Sequence, residues 1–354
     1  MNVNKKEKSS SCNLSLTSHL CMSEKLKFLY SSEKKIFILC ILFEFIQGGI
    51  CSYGDRSNAF QNCMHWCGIK NCSNSTQLAD FESNRPWYMS VLQWECWDEC
   101  DHYCMWHTVK VFQYNGQGIP QFHGKWPFYR LCGIQEPASV IFSLLNGLVH
   151  YYMWKKFRST VPNCPFSSVW NIQALLSINA WFWSAVFHTR DVPLTEKLDY
   201  FCAFSMVLYS FYSLLIRLYS SQKSGFPLFL AVPFLSFFIY HIYYLTYIRF
   251  DYGYNLKANI IIGLLNSFGW LIWCYKHRHK YYVWKCAASV IAVNLLLLLE
   301  LCDFPPWKFV IDAHALWHFG TIPVPFLWYS FLIEDCLNEM KDVGLCISLV
   351  KKIG

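Results

Sequence analysis

Beyond Glu136-Pro137 the chain runs as seven apolar segments, near 137–154, 169–188, 198–217, 227–248, 258–275, 282–302 and 309–333, and no other feature restricts its fold as much. Each is about 18 to 25 residues long, enough to cross roughly 30 Å of hydrocarbon as a helix. A lipid interior cannot satisfy exposed backbone groups, so the segments read as helices with all their hydrogen bonds internal. With 54% hydrophobic and only 15% charged side chains in 354 residues, a water-soluble core of this size has no room for the apolar surface. The expected fold class is therefore an all-α integral membrane protein with seven transmembrane helices. The net charge of +7 does not point to nucleic acid, because the basic residues are scattered in short groups and form no stripe with interleaved aromatics.

Ahead of the segments lies a different kind of chain. Seven of the 18 cysteines fall between Cys51 and Cys104, which points to an oxidising compartment. Two glycosylation sequons, Asn71-Cys72-Ser73 and Asn74-Ser75-Thr76, sit among them and argue for the lumen. The spacings Cys63-x3-Cys67 and Cys96-x3-Cys100-x3-Cys104 put sulfurs on one face of a helix, so two short helices stapled by disulfides are expected, with the connectivity open. A zinc cluster is the alternative use of these cysteines. Further upstream, a lysine-rich stretch, the apolar run Ile36 to Ile46 and the small-residue stretch Gly48-Gly49-Ile50-Cys51-Ser52 resemble a signal peptide, despite Glu44 inside the run. The domains read as 1–52, extension and signal peptide; 53–125, cysteine-rich lumenal domain; 126–335, seven-helix transmembrane domain; and 336–354, cytoplasmic tail. With the cysteine-rich part lumenal, the cytoplasmic connections carry twelve Lys and Arg against five on the lumenal side, in keeping with the positive-inside bias. The ending Lys351-Lys352-Ile353-Gly354 has the dilysine form of a retrieval signal.

Ionisable groups at membrane depth are expensive and mark functional candidates. Ser184 and His188 share a helical face at the end of the second segment, Asp199 opens the third, and Asp312-Ala313-His314-Ala315-Leu316-Trp317-His318 places two imidazoles one turn apart at the start of the seventh. The second helix ends on the lumenal side and the third and seventh begin there, so these groups share one depth. Three histidines, His188, His314 and His318, can give three nitrogens to a tetrahedral Zn2+ and leave its fourth position to water, whose pKa falls toward about 7. Asp199 can orient that water or take its proton, and Ser184 can steady an oxyanion. Ser184, His188 and Asp199 as a serine-hydrolase triad is the alternative, although no Gly-x-Ser-x-Gly elbow is present and two histidines are then idle. His150 and His241 read as ordinary interface histidines.

The Ser-x3-His, later Asp and late His-x3-His arrangement is similar to the CREST superfamily of membrane hydrolases. Lys125-Trp126-Pro127-Phe128, Gln135-Glu136-Pro137-Ala138-Ser139, Trp183-Ser184 through Asp191 and Asp312 through His318 resemble the post-GPI-attachment-to-proteins factor 3 family, as does the start Cys51-Ser52-Tyr53-Gly54-Asp55. The resemblance spans about residues 51 to 335. It implies lipid remodelling of GPI-anchored proteins by phospholipase A2-type removal of the unsaturated sn-2 acyl chain in the Golgi or endoplasmic reticulum. It also implies His188, His314 and His318 as zinc ligands with Ser184 and Asp199 assisting, and GPI-anchored proteins and membrane lipids as partners. The long N-terminal extension and the dilysine ending depart from the family's pattern. A ceramidase-like amidase, and a non-catalytic receptor or lipid chaperone, are the competing functions.

Overall fold

The computed structural model describes residues 52–162, 166–219, 226–301 and 303–353. The expected signal peptide with Cys51, and the side chains of the terminal dilysine pair, lie outside the described residues. Among those described, the regular structure is helical, with isolated β-bridges and no strands.

The cysteine-rich part holds four helices, α1 (Asn58–Asn71), α2 (Ser75–Asn84), α3 (Trp87–Val91) and α4 (Cys96–Tyr114). Ser57 starts α1 by accepting the Phe60 amide at 3.2 Å, and Asn74 starts α2 by accepting the Gln77 amide at 2.9 Å. The expected pair of stapled helices is α1 and α4, and α2 and α3 fill the connection between them. Cys63–Cys104, Cys67–Cys100 and Cys72–Cys96 form a ladder in which sequence positions rise on one helix as they fall on the other, so the helices are antiparallel. Four-residue spacing of Cys63 and Cys67 on α1 and of Cys96, Cys100 and Cys104 on α4 stacks successive sulfurs on one face of each helix, and Cys72, the residue that caps α1, adds the third rung. All six sulfurs are spent in disulfides, which leaves none for the alternative zinc cluster.

Every one of the seven apolar segments contains helix: α5 (Pro137–Thr160), α6 (Ser167–Thr189), α7 (Pro193–Tyr219), α8 (Phe226–Tyr243, running into a π-turn at Tyr244–Ile248), α9 (Tyr252–Lys276), α10 (Val283–Leu301), and then α11 (Ala313–Thr321) and α12 (Val324–Ile353). Among the described residues, four helical stretches are long and apolar enough to cross a membrane: Pro193–Tyr219, Pro227–Ile248, Tyr252–Lys276 and Ala313–Lys341. The chain is thus a multi-pass membrane protein. Helices α5 and α6 fall short for a reason that positions the site. Ser139, Ser143 and Asn146 on α5, and Gln173, Ser177, Ser184 and His188 on α6, are buried inside the bundle, while Ile141, Leu144, Leu148, Ile172, Leu175 and Phe182 face outward. Polar-in, apolar-out patterning lowers a helix's overall hydropathy and suits a lipid surround.

The seventh segment departs from the expected single helix over 309–333. Residues 304–312 form a loop with a tight turn in which Lys308 and Phe309 take left-handed backbone angles, φ 51° and 58°. The helix is then interrupted between Thr321 and Val324. Pro323 and Pro325 carry no amide hydrogen, so two successive-turn bonds cannot form there.

Helices α5, α6, α7, α9, α10 and the α11–α12 pair pack in a closed sequence, with α8 against α7 on the outside. Trp170, Trp270, Trp273, Tyr282 and Phe331 fill one end of the core. There Arg217 on α7 donates to Asp335 on α12 at 2.7 and 3.0 Å, and Tyr282 donates to the same carboxylate at 3.0 Å. At the other end, Trp94 is flanked by the guanidiniums of Arg130, at 4.3 Å, and Arg190, at 3.9 Å. Arg130 pairs with Glu99 and Arg190 with Asp98, which fastens the first turn of α4 to the residues that end α6.

Candidate metal centre

The site begins with how three helix ends are made. Asp312 accepts the Ala315 amide at 2.8 Å and so starts α11 two residues before His314. The last carbonyls of α6 have no partner within their own helix. Two of them are taken by the segment that opens α5, since the Gln135 amide donates to Thr189 O and the Glu136 amide to His188 O, both at 3.1 Å. Pro137 follows at the first position of α5, where a missing amide hydrogen costs nothing. These contacts join the start of α5 to the end of α6, and Asn146 of α5, donating to His318 O, holds α11 beside them.

The imidazoles meet at this junction. His314 Nε2 lies 3.3 Å from His188 Nε2 and 2.8 Å from His318 Nε2, and one nitrogen of each ring lies within 4.8 Å of the other two. His188 and His318 are buried at 3% and 1% exposure, and His314 is half-buried. Trp181 and Trp317 pack edge-on against His318 at 5.2 and 5.1 Å.

Behind the rings lies a polar layer. His188 Nδ1 donates to Glu136 Oε2 at 2.7 Å, and Lys125 Nζ donates to Glu136 Oε1 at 3.1 Å and pairs with Asp191 at 2.8 Å. Burial alone favours the neutral form of Glu136, but Lys125 and His188 outweigh it and hold the carboxyl well below the usual range. Burial likewise works against the charge on Lys125, and the carboxylates of Glu136 and Asp191 overcome it and raise its pKa. His318 Nδ1 is 3.0 Å from Ser143 Oγ, which is 3.2 Å from Ser184 Oγ. Asn146 donates to His318 O at 2.8 Å.

This donor set fits a metal ion. An ionised carboxylate only accepts, so the proton of His188 sits on Nδ1 and its Nε2 presents a lone pair. With His318 donating through Nδ1 to Ser143, its Nε2 does the same. His314 Nε2 faces both with at most one proton to offer. A cation that accepts all three lone pairs removes the conflict. Tetrahedral zinc, with nitrogens about 2.0–2.1 Å away, separates any two of them by about 3.3–3.4 Å. The His188–His314 separation already matches, and the His314–His318 pair needs about half an ångström of opening.

Of the residues expected from sequence, the structure gathers Ser184, His188, His314 and His318. Asp199 stands, half-buried, in the second turn of the neighbouring helix α7. The nitrogens of His188 are engaged by Glu136 and His314, and the hydroxyl of Ser184 by Ser143, so the direct Ser184–His188 pair that the triad alternative needs is not formed. His150 lies apart, with Nδ1 3.4 Å from the Tyr329 hydroxyl, and His241 stacks on Phe204 at 3.9 Å. Sequence reasoning gave no role to Glu136, Lys125, Ser143 or Asn146. The signals for them were slight: an acidic residue directly before an apolar run, and two polar residues three apart inside it.

The Per1-like family model matches residues 86–336. A Xenopus tropicalis protein named "GPI-specific phospholipase A2-like PGAP3" is 47% identical over 296 residues, covering 82% of this chain and 92% of its own length. The Homo sapiens protein of that name is 46% identical over 293 residues, covering 82% and 91%. A Drosophila melanogaster protein, "Post-GPI attachment to proteins factor 3", is 41% identical over 323 residues, covering 90% and 99%. No solved structure matches the chain.

Proposed function

The chain belongs to the Per1-like family, and from that premise we propose that it remodels the lipid of GPI-anchored proteins, hydrolysing the sn-2 unsaturated acyl ester with a zinc ion held by His188, His314 and His318. The observation that carries this reading is the convergence of three imidazole nitrogens, one backed by a carboxylate, at the end of a membrane bundle. Relatives named for GPI-specific phospholipase A2-like activity supply the substrate.

Each residue then has a task. Glu136 fixes the tautomer of His188 and raises its basicity, as outer carboxylates do for metal-bound histidine. Lys125 holds Glu136 in its ionised, acceptor-only form. A hydrogen-bond chain runs from His318 Nδ1–H to Ser143 Oγ, and from the Ser143 hydroxyl to Ser184 Oγ. It leaves the proton of Ser184 free to be donated to the oxygen that gains charge as the ester is attacked. Bound zinc supplies a polarised carbonyl and a water acidified to about neutral pH. Asp199, half-buried in the second turn of α7, is the carboxylate that would orient that water or take its proton. Beside His318, and bounded by Asn146, Trp181 and Trp317, a cavity of about 240 Å3 with Trp170, Trp270 and Trp328 in its walls receives the acyl chain. We place the protein in the Golgi or endoplasmic reticulum membrane with seven spans and the disulfide-stapled domain in the lumen. Exposed Asn71 and Asn74 are then glycosylated. Digestion of this domain from the cytosolic side of sealed vesicles overturns that topology.

Metal analysis of the purified protein, together with an assay of acyl release from a GPI-anchored substrate and from ceramide, tests the function. His314→Ala and His318→Ala should each lose bound zinc and abolish acyl release while the protein still inserts. Full activity in metal-stripped protein rejects the mechanism. Release from ceramide alone makes the enzyme an amidase, and a zinc-loaded protein with no rate above background makes it a receptor or chaperone.

A further inference from the structure

A second recess lies where the disulfide-stapled domain meets the connection between α10 and α11, and Tyr53, Phe112, Gln117, Gln121, Trp126 and Asp303 line this open groove of about 480 Å3. Its volume falls within the roughly 300–1,000 Å3 of small-ligand sites. Tyr53 stands 62% exposed on one wall, held edge-on to Phe112 at 5.5 Å. Asp303, in the connection between α10 and α11, is exposed but not loose: Trp126 Nε1 donates to its Oδ1 at 2.6 Å and Gln121 Nε2 to its Oδ2 at 2.8 Å. Both donors are neutral, and among the described residues no lysine, arginine or histidine forms an ion pair with Asp303. The carboxylate is thus aimed by two neutral donors and, among the described residues, faces no cationic partner. An aromatic face beside an oriented carboxylate and side-chain amides is the equipment for binding a sugar that carries an amine. The apolar ring face lies on tyrosine, the hydroxyls meet the amides, and the ammonium meets the carboxylate.

The groove is also joined to the metal centre through the chain. The turn closed by the Phe122–Lys125 bridge presents Gln121 and Trp126 to the groove and sends Lys125 to Glu136, which orients His188. Beyond Asp303 the chain runs nine residues to Asp312 and the start of α11. A GPI lipid has the matching order: acyl ester, glycerol phosphate, inositol, and then a glucosamine with a free amine.

We infer that this groove holds the amino sugar of the GPI glycan, with the ammonium on Asp303 and the sugar ring on Tyr53, so that the enzyme recognises its substrate by headgroup as well as by ester. The inference rests on the GPI reading of the metal centre. Its test does not depend on turnover. The probe is glucosaminyl-inositol phosphate, the soluble headgroup freed of both acyl chains, titrated calorimetrically into full-length protein in lipid nanodiscs. The same headgroup acetylated on the amine is the comparison. Loss of one charge-assisted hydrogen bond should weaken binding about tenfold. Acetylation should therefore cost about tenfold in the native protein. Asp303→Asn should cost about the same with the free amine and nothing further with the acetylated form, as coupled partners require. Tyr53→Ala should weaken both forms equally. Equal affinity of the native protein for the two forms, or no binding of either, overturns the inference, and this arm needs no variant to fold. His314→Ala should bind the headgroup as the native protein does. Headgroup binding without any acyl release keeps the groove and removes the hydrolase, while acyl release indifferent to the amine does the reverse.

Discussion

Replacing Glu136 by Gln should loosen zinc without dismantling the fold, and the reason lies in two contacts that a carboxylate satisfies and an amide cannot. Glu136 accepts from His188 Nδ1 at 2.7 Å and from Lys125 Nζ at 3.1 Å, one bond to each oxygen. Glutamine keeps the shape but has only one oxygen. With that oxygen toward His188, its NH2 confronts the Lys125 ammonium, donor against donor. In the flipped amide the NH2 faces His188 Nδ1, which drives the imidazole proton to Nε2 and removes the lone pair a metal needs. Either arrangement weakens the ligand, and second-shell changes of this kind cost about 10–100-fold in metal affinity. Lys125 retains Asp191 at 2.8 Å, so the loss in folding stability should stay near the 1–3 kcal/mol of one unsatisfied buried group. Competition with graded zinc buffers measures the affinity, and thermal unfolding of the same preparations measures the stability. The double variant Glu136→Gln, Lys125→Met supplies the sharper comparison, because removing the ammonium frees the amide oxygen to face His188 again. It should bind zinc more tightly than the single variant. Native zinc affinity in Glu136→Gln, or a double variant no better than the single, refutes the reasoning.

Ser184→Ala should lower acyl release by about 10²–10³, the cost of one oxyanion donor, and leave measurable turnover. An acyl group found on Ser184 by mass spectrometry makes it the nucleophile instead. In the disulfide-stapled domain, the Cys67–Cys100 bridge lies between two others, so opening it releases only short additional loops. Cys67→Ser with Cys100→Ser should therefore cost about 2 kcal/mol, the low end for a disulfide, and a larger loss in denaturant titration assigns the bridge an enthalpic role.

The helices were legible because their causes are local. Apolar runs of membrane length announce themselves without tertiary information, and four-residue cysteine spacing fixes which face of α1 meets which face of α4. The connectivity was not legible, since six sulfurs permit fifteen pairings and only antiparallel packing selects one. The break between α11 and α12 could have been read from Pro323 and Pro325, but the apolar run continues through both and outweighed them. Helices α5 and α6 show the opposite difficulty. Their buried Ser143, Asn146, Gln173 and Ser177 lower the hydropathy of helices that nonetheless turn an apolar face outward.

At the metal centre the limit is sequence distance. His314 and His318 are one turn apart on one helix, and Ser184 and His188 one turn apart on another, so each pair can be found by period alone. Glu136 is 52 positions from His188, and Ser143 is 175 from His318, and neither separation has a period. What brings Glu136 to His188 is a backbone event: the orphan carbonyls that end α6 are taken by the amides that open α5. The helix termini thus assemble the outer layer of the centre as a by-product of satisfying their own hydrogen bonds. It follows that candidate ligands carried on regular elements can be brought together from a sequence, whereas the groups that orient them become visible only when the ends of those elements are seen to meet.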